Sequence, residues 1–199
     1  MVETFLRQSP LASLGLAGRA LAARGDAGVA LSERPFPGLV NLRGKHKSAS
    51  AAVELTFGFA LPAAPNTTAA KGKTSAFWLG PDEWWLLAED GTKLAAKLRD
   101  AVDGKGCAVT EVGESRTVIR ATGPRARDLL AKGCPLDLHP SLFAKGACAQ
   151  TVMAKAGVLI HAVDDGPTYD LYVLRSFAEY LWRWLEDAGQ EYGVAVLAS

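Results

Sequence analysis

The 199-residue chain reads as an α+β fold of two small lobes, each an antiparallel sheet with helices on one face. Three observations predict it. The stretch from Glu111 to Thr122 is a β-rich run that feeds a Gly123-Pro124 helix start, and the helix reaches Gly133 before a Pro-bounded loop. Strand-like runs then follow one another across short turns at Ala156-Gly157 and Asp164-Asp165-Gly166-Pro167, the spacing of antiparallel neighbours. Last comes an amphipathic segment from Phe177 to about Ala188. These divide the chain into an N-terminal arm (1–34), a first lobe (35–105) and a second lobe (106–199).

In the arm, Ala and Leu mix with glycines at 15, 18, 25 and 28. Such a segment buries its own side chains poorly and needs a surface, either its own domain or a partner's groove. Pro10, Leu11 and Leu14 are the candidate partner contacts. In the first lobe Val40–Gly44 is a short strand, and 51–61 alternates Val53, Leu55, Phe57 and Phe59 against Glu54, Thr56 and Gly58, which predicts a half-buried strand. Gly44-Lys45-His46-Lys47-Ser48 between them reads as a hairpin loop. Residues 62–73 form a connecting loop and 75–79 a strand, while 83–88, apolar on both faces, is a central strand. Leu94, Leu98, Ala101 and Val102 predict a helix over 92–103 that Gly104 ends. The lobe is β-β-β-β-α.

The second lobe opens with a strand over 107–112. In the helix after Pro124, Ala126, Leu129 and Leu130 form the apolar stripe, and Gly133 supplies a left-handed closing residue. Strands follow near 147–154, 158–163 and 169–174. The last helix starts at a capping box of Ser176 and Glu179 and ends at Gly189. At about 100° per residue, Phe177, Tyr180, Leu181, Trp184, Leu185 and Ala188 share one face. Trp182 falls with Glu179, Arg183, Glu186 and Asp187, which predicts an exposed tryptophan and a partner contact.

A formal charge of +1, from 22 basic and 21 acidic residues, gives no electrostatic reason to bind nucleic acid or an anionic membrane. Three cysteines, Cys107, Cys134 and Cys148, without a C-x-x-C pair point to a reducing, cytoplasmic setting. His46, His139 and His161 lack metal-ligand spacing with them. Gly72-Lys73-Thr74 resembles the end of a phosphate loop, but a strand rather than a helix follows. No nucleophile elbow or dinucleotide fingerprint is present, and the carboxylate pairs Asp82-Glu83, Asp164-Asp165 and Glu186-Asp187 lie in turns or on a polar helix face. No catalytic, cofactor-binding or metal-binding residue is therefore nominated.

Three segments in order carry a family likeness. Leu79-Gly80-Pro81-Asp82-Glu83-Trp84, the unit from Glu111 to Leu138, and Arg175-Ser176-Phe177-Ala178-Glu179-Tyr180-Leu181-Trp182 resemble the gamma subunit of heterotetrameric sarcosine oxidase, over about 35–188. That family is similar in fold to part of the aminomethyltransferase (T-protein) of the glycine cleavage system. The resemblance implies a non-catalytic subunit that supports oxidative demethylation of sarcosine to glycine, with transfer of the one-carbon unit to tetrahydrofolate. It implies an alpha (large) subunit as partner, beta and delta subunits in the complex, and FAD, FMN, NAD and tetrahydrofolate held by those other subunits. The competing reading is a stand-alone small folate-binding or aminomethyl-transfer protein.

Overall fold

The computed structural model describes residues 7–22 and 27–198, so Gly25 of the arm lies outside it. In chain order the elements are α1 (Leu16–Ala22), β1 (Val29–Arg34), β2 (Gly38–Arg43), α2 (His46–Phe57), β3 (Thr68–Lys71), β4 (Thr74–Gly80), β5 (Glu83–Ala88), α3 (Gly91–Val102) and β6 (Ala108–Glu111). Then come β7 (Arg116–Thr122), α4 (Ala126–Ala131), β8 (Cys148–Met153), β9 (Ala156–Ala162), β10 (Tyr169–Leu174), α5 (Arg175–Gly189) and β11 (Val194–Val196). The α+β class holds. The chain divides into two compact units, one of residues 37–115 with 146–150, the other of the residues up to 36 with 116–145 and 151 onward.

In the first of these units, β3-β4-β5-β2-β6 form an antiparallel sheet. Alternation along β2 and β5 sends Val40, Leu42, Trp84 and Leu86 into a core with Val53 of α2 and Leu94 and Leu98 of α3. Trp84 is fully buried because its indole N–H donates to the Pro62 carbonyl at 2.9 Å. Residues 51–61 are not a strand. Residues 51–57 belong to α2, which buries Ala49, Ala52 and Val53 at helical spacing while Leu55 is 91% exposed. The alternating apolar residues mislead because alanine-rich sequence favours the helix, and Gly58 at φ +78° closes it with an N–H bond to the Glu54 carbonyl. Nor is 44–48 a hairpin loop. The helix begins at His46, whose N–H donates to Asp82 Oδ1 at 2.8 Å, a cap delivered from the β4–β5 turn instead of by Lys45. The 62–73 loop contains β3.

In the second unit the sheet order is β11-β1-β7-β10-β9-β8. Here β1, read from sequence as part of the arm, pairs antiparallel with β7, and β11 joins its other side in parallel. Ile119, Ala121, Leu171, Val173 and Ile160 are fully buried on one sheet face. Tyr169 shares that face and its hydroxyl accepts from Arg127 Nε of α4 at 3.2 Å, which fixes the side α4 covers. Ala126, Leu129 and Leu130 are the buried stripe of α4, as the sequence predicts. The helix itself starts two residues after Pro124. Gly133 serves a different purpose from the one its sequence position suggests, since its φ is not positive and a Cβ there would come within 2.4 Å of the Trp184 ring. The glycine lets the edge of an indole approach the backbone closely.

Candidate functional site

The four residues nominated as partner contacts fare differently. Leu11 is 1% exposed, packed into its own unit. The segment around it is tied down by the Ser9 hydroxyl donating to the Glu33 carboxylate, by Arg175 donating to the Gln8 carbonyl at 3.0 Å, and by the Arg19–Glu186 pair. Pro10 and Leu14 are half-buried. Trp182 is fully buried, which overturns its expected exposure. The buried residues of α5 are Ala178, Leu181, Trp182, Leu185 and Gly189, whereas Phe177 and Tyr180 are 41% and 38% exposed. The helix is rotated by roughly a quarter turn from the sequence phase. The apolar arc is broad, reaching from Tyr180 round to Trp182, so periodicity alone leaves its phase open, and the buried part is the one holding Ala178, Leu181, Trp182 and Leu185.

The face of the second sheet opposite α4 carries a row of polar side chains across four strands. Ser32 of β1 stands opposite Arg120 of β7, Arg120 opposite Asp170 of β10, and Asp170 opposite His161 of β9. Directly opposed residues share a face, so register alone assembles the row. Arg120 grips Asp170 with both arms of its guanidinium, Nε to Oδ1 at 2.7 Å and Nη2 to Oδ2 at 2.8 Å, a bidentate charge-assisted pair. The hydrogen bonds that Arg120 donates to Asp170 raise the Arg120 pKa, against the opposing effect of burial. Arg34, two residues along β1 from Ser32, adds a longer 3.4 Å contact to Oδ2. The hydroxyls of Thr122 and Thr168 meet at 2.8 Å beside the row. Sequence reasoning missed this constellation. Its only local trace is the polar, alternate-residue pattern Arg116, Arg120, Thr122 and Ser32, Arg34 within runs otherwise read as strands.

Two of the three thiols are shifted by burial. Burial pushes the Cys148 thiol up to about 11 and also raises that of Cys107, so both are protonated. His46 Nε2 lies 3.3 Å from the Leu61 carbonyl, and His139 Nδ1 pairs with the Ser141 hydroxyl at 2.7 Å. Among the described residues no three His, Cys, Asp or Glu side chains gather closely enough to hold a metal ion, and no helix is long and apolar enough to cross a membrane.

His161 has a pKa below its usual value, first because burial disfavours the imidazolium, with Asp170 raising it and Arg120 lowering it. The unfolded chain therefore takes up this proton before the folded one does as pH falls. Its stabilising effect is complete above the ordinary histidine pKa of about 6.5 and is lost as pH drops through the lower folded value. We expect the thermal midpoint to fall from pH about 7 to about 5, and His161→Gln to flatten that part of the profile. An unchanged slope in the variant would contradict this.

Comparison with known proteins bears on this chain over nearly its whole length. The model of the sarcosine oxidase gamma subunit family matches residues 44–191. The sarcosine oxidase subunit gamma of Corynebacterium sp. (strain U-96) is 34% identical over 198 residues, covering 98% of this chain and 96% of that protein. That of Arthrobacter sp. is 34% identical over 199 residues, with the same 98% and 96% coverage. Among solved structures, a chain of the heterotetrameric sarcosine oxidase from Corynebacterium sp. U-96 in complex with pyrrole 2-carboxylate superposes with a TM-score of 0.85 at 33% identity, covering 94% of this chain and 96% of that one. Aminomethyltransferase T of the glycine cleavage system from Bartonella henselae superposes at 0.64 with 17% identity, over 92% of this chain and 51% of that one, a likeness of fold alone. The chain belongs to the sarcosine oxidase gamma subunit family.

Proposed function

We propose that this chain is the non-catalytic gamma subunit of a heterotetrameric sarcosine oxidase, which demethylates sarcosine to glycine and passes the one-carbon unit to tetrahydrofolate. The observation that carries the reading is the 34% identity along 98% of the chain to a gamma subunit. The stand-alone folate-binding or aminomethyl-transfer reading rests only on the aminomethyltransferase likeness, at 17% identity. A non-catalytic role agrees with the local chemistry. The Cys107 and Cys148 thiols are held protonated, and Asp170 has both oxygens engaged by Arg120. FAD, FMN, NAD and tetrahydrofolate belong, in this reading, to the other subunits. The partners are an alpha (large) subunit together with beta and delta subunits, in the cytoplasm. Of the nominated contact residues, Pro10 and Leu14 keep part of their surface accessible for such a partner.

Co-expression with the other subunits tests this. The chain is expected to co-elute with them in stoichiometric amount, and alone to show neither flavin absorbance nor sarcosine-dependent oxygen uptake. A chain that stays monomeric beside an active three-subunit oxidase would overturn the assignment, as would stoichiometric flavin on the isolated chain.

A further inference from the structure

The whole chain has a formal charge of +1, yet the end of β1 gathers cations. Arg34 and Arg120 both reach the carboxylate of Asp170, with Asp164 a weaker negative influence on Arg120, and the exposed Arg7 stacks its guanidinium 4.0 Å above the ring of Phe36, two residues beyond Arg34. The three cations are not equivalent. Both Asp170 oxygens already accept short bonds from Arg120, whose side chain is 27% exposed. Arg34 reaches the same carboxylate only at 3.4 Å, has no other partner among the described residues, and is 54% exposed. Of the two guanidiniums on Asp170, it is the less engaged. A guanidinium offers five N–H donors in a planar fork that fits a carboxylate edge-on, and most of those of Arg34 are unspent. The buried Asp170 holds it in place from one side, so a second carboxylate would meet an oriented donor rather than a free-swinging one.

We infer that the Arg34 end of β1 is a contact site for a carboxylate of another subunit, an Asp or Glu side chain that would complete an alternating series Arg120, Asp170, Arg34, carboxylate. This rests on the proposed assembly. A protein carboxylate fits better than a small free acid because small ligands need a concave site that buries most of their surface. Arg34, at 54% exposed, stands open to solvent rather than enclosed in such a site. An open cation suits a protein surface, which brings its own enclosure and is steered by charge.

The test uses the full-length chain and the remaining oxidase subunits, with affinity read by titration at salt concentrations of about 0.05 and about 0.3 M, where screening differs strongly. Arg34→Glu is expected to weaken association roughly tenfold or more at low salt, with the difference shrinking at high salt, and Arg34→Lys to fall between. Circular dichroism of each full-length variant identifies loss of folding, and Arg34→Lys, which keeps the charge, supplies the readout if Arg34→Glu unfolds. Equal affinity of wild type and variants at both salts overturns the inference while leaving the assembly intact. Wild-type chain that does not join the other subunits removes the assembly reading and this inference with it. Free glutarate is the probe for the other source: binding that depends on Arg34, alongside assembly indifferent to it, assigns the site to a small carboxylate and overturns the partner.

Discussion

Trp182→Ala is expected to destabilise the chain by roughly 3 to 5 kcal/mol, the range for truncating a fully buried large aromatic side chain. The indole is wholly excluded from solvent on the buried side of α5, in one stripe with Ala178, Leu181 and Leu185. Its loss removes the transfer free energy of the ring and leaves a cavity that a sheet on one side and a helix on the other cannot close. Trp182→Phe should cost less for a specific reason. The Trp182 indole N–H is buried and has no hydrogen-bond partner among the described residues, so a phenyl ring gives up no bond and removes an unsatisfied donor. Denaturant unfolding with an unchanged m-value is the measurement. A loss within about 0.5 kcal/mol for the alanine, the surface range, would place Trp182 outside the core and restore the helix phase that periodicity suggests.

Asp170→Ala is expected to cost roughly 3 to 5 kcal/mol, because it removes one partner of a buried ion pair and leaves the other charged. Asp170 is 3% exposed and receives two short bonds from Arg120. Once the carboxylate is gone, Arg120 and Arg34 repel across the gap, and the opposed His161 loses the neighbour that favours its charged form. The double variant Asp170→Ala/Arg120→Met is expected to recover part of the loss, since an apolar pair of similar volume avoids the stranded charge. If Asp170→Ala alone costs under about 1 kcal/mol, the value of an exposed pair, the row contributes no more than surface salt bridges do.

Several features were readable locally because the signal lies within a few residues. In α4, Ala126, Leu129 and Leu130 are spaced to share one helical face and are buried. The apolar run of β5 sits inside its sheet between β4 and β2, and the helix over 91–102 is closed near Gly104. The family likeness was equally local, carried by three short segments in order, and the comparisons place the chain in that family.

Other features depended on partners far along the chain. Residues 51–61 alternate like a strand, but 51–57 lie in a helix that starts at His46 and is capped there by Asp82 from another turn. Gly133 looks like a helix terminator and is instead the seat of Trp184, about fifty residues later. The polar row joins residues 32, 120, 161 and 170, whose meeting is set by strand register and has no signature in spacing. The helix α5 shows the division most sharply. Its sequence determined that an amphipathic helix follows β10, with an apolar arc wider than one contact. Only the tertiary structure decided which half of that arc is buried, because periodicity fixes the width of an apolar face while the elements packed against it, distant in sequence, select the part that meets them.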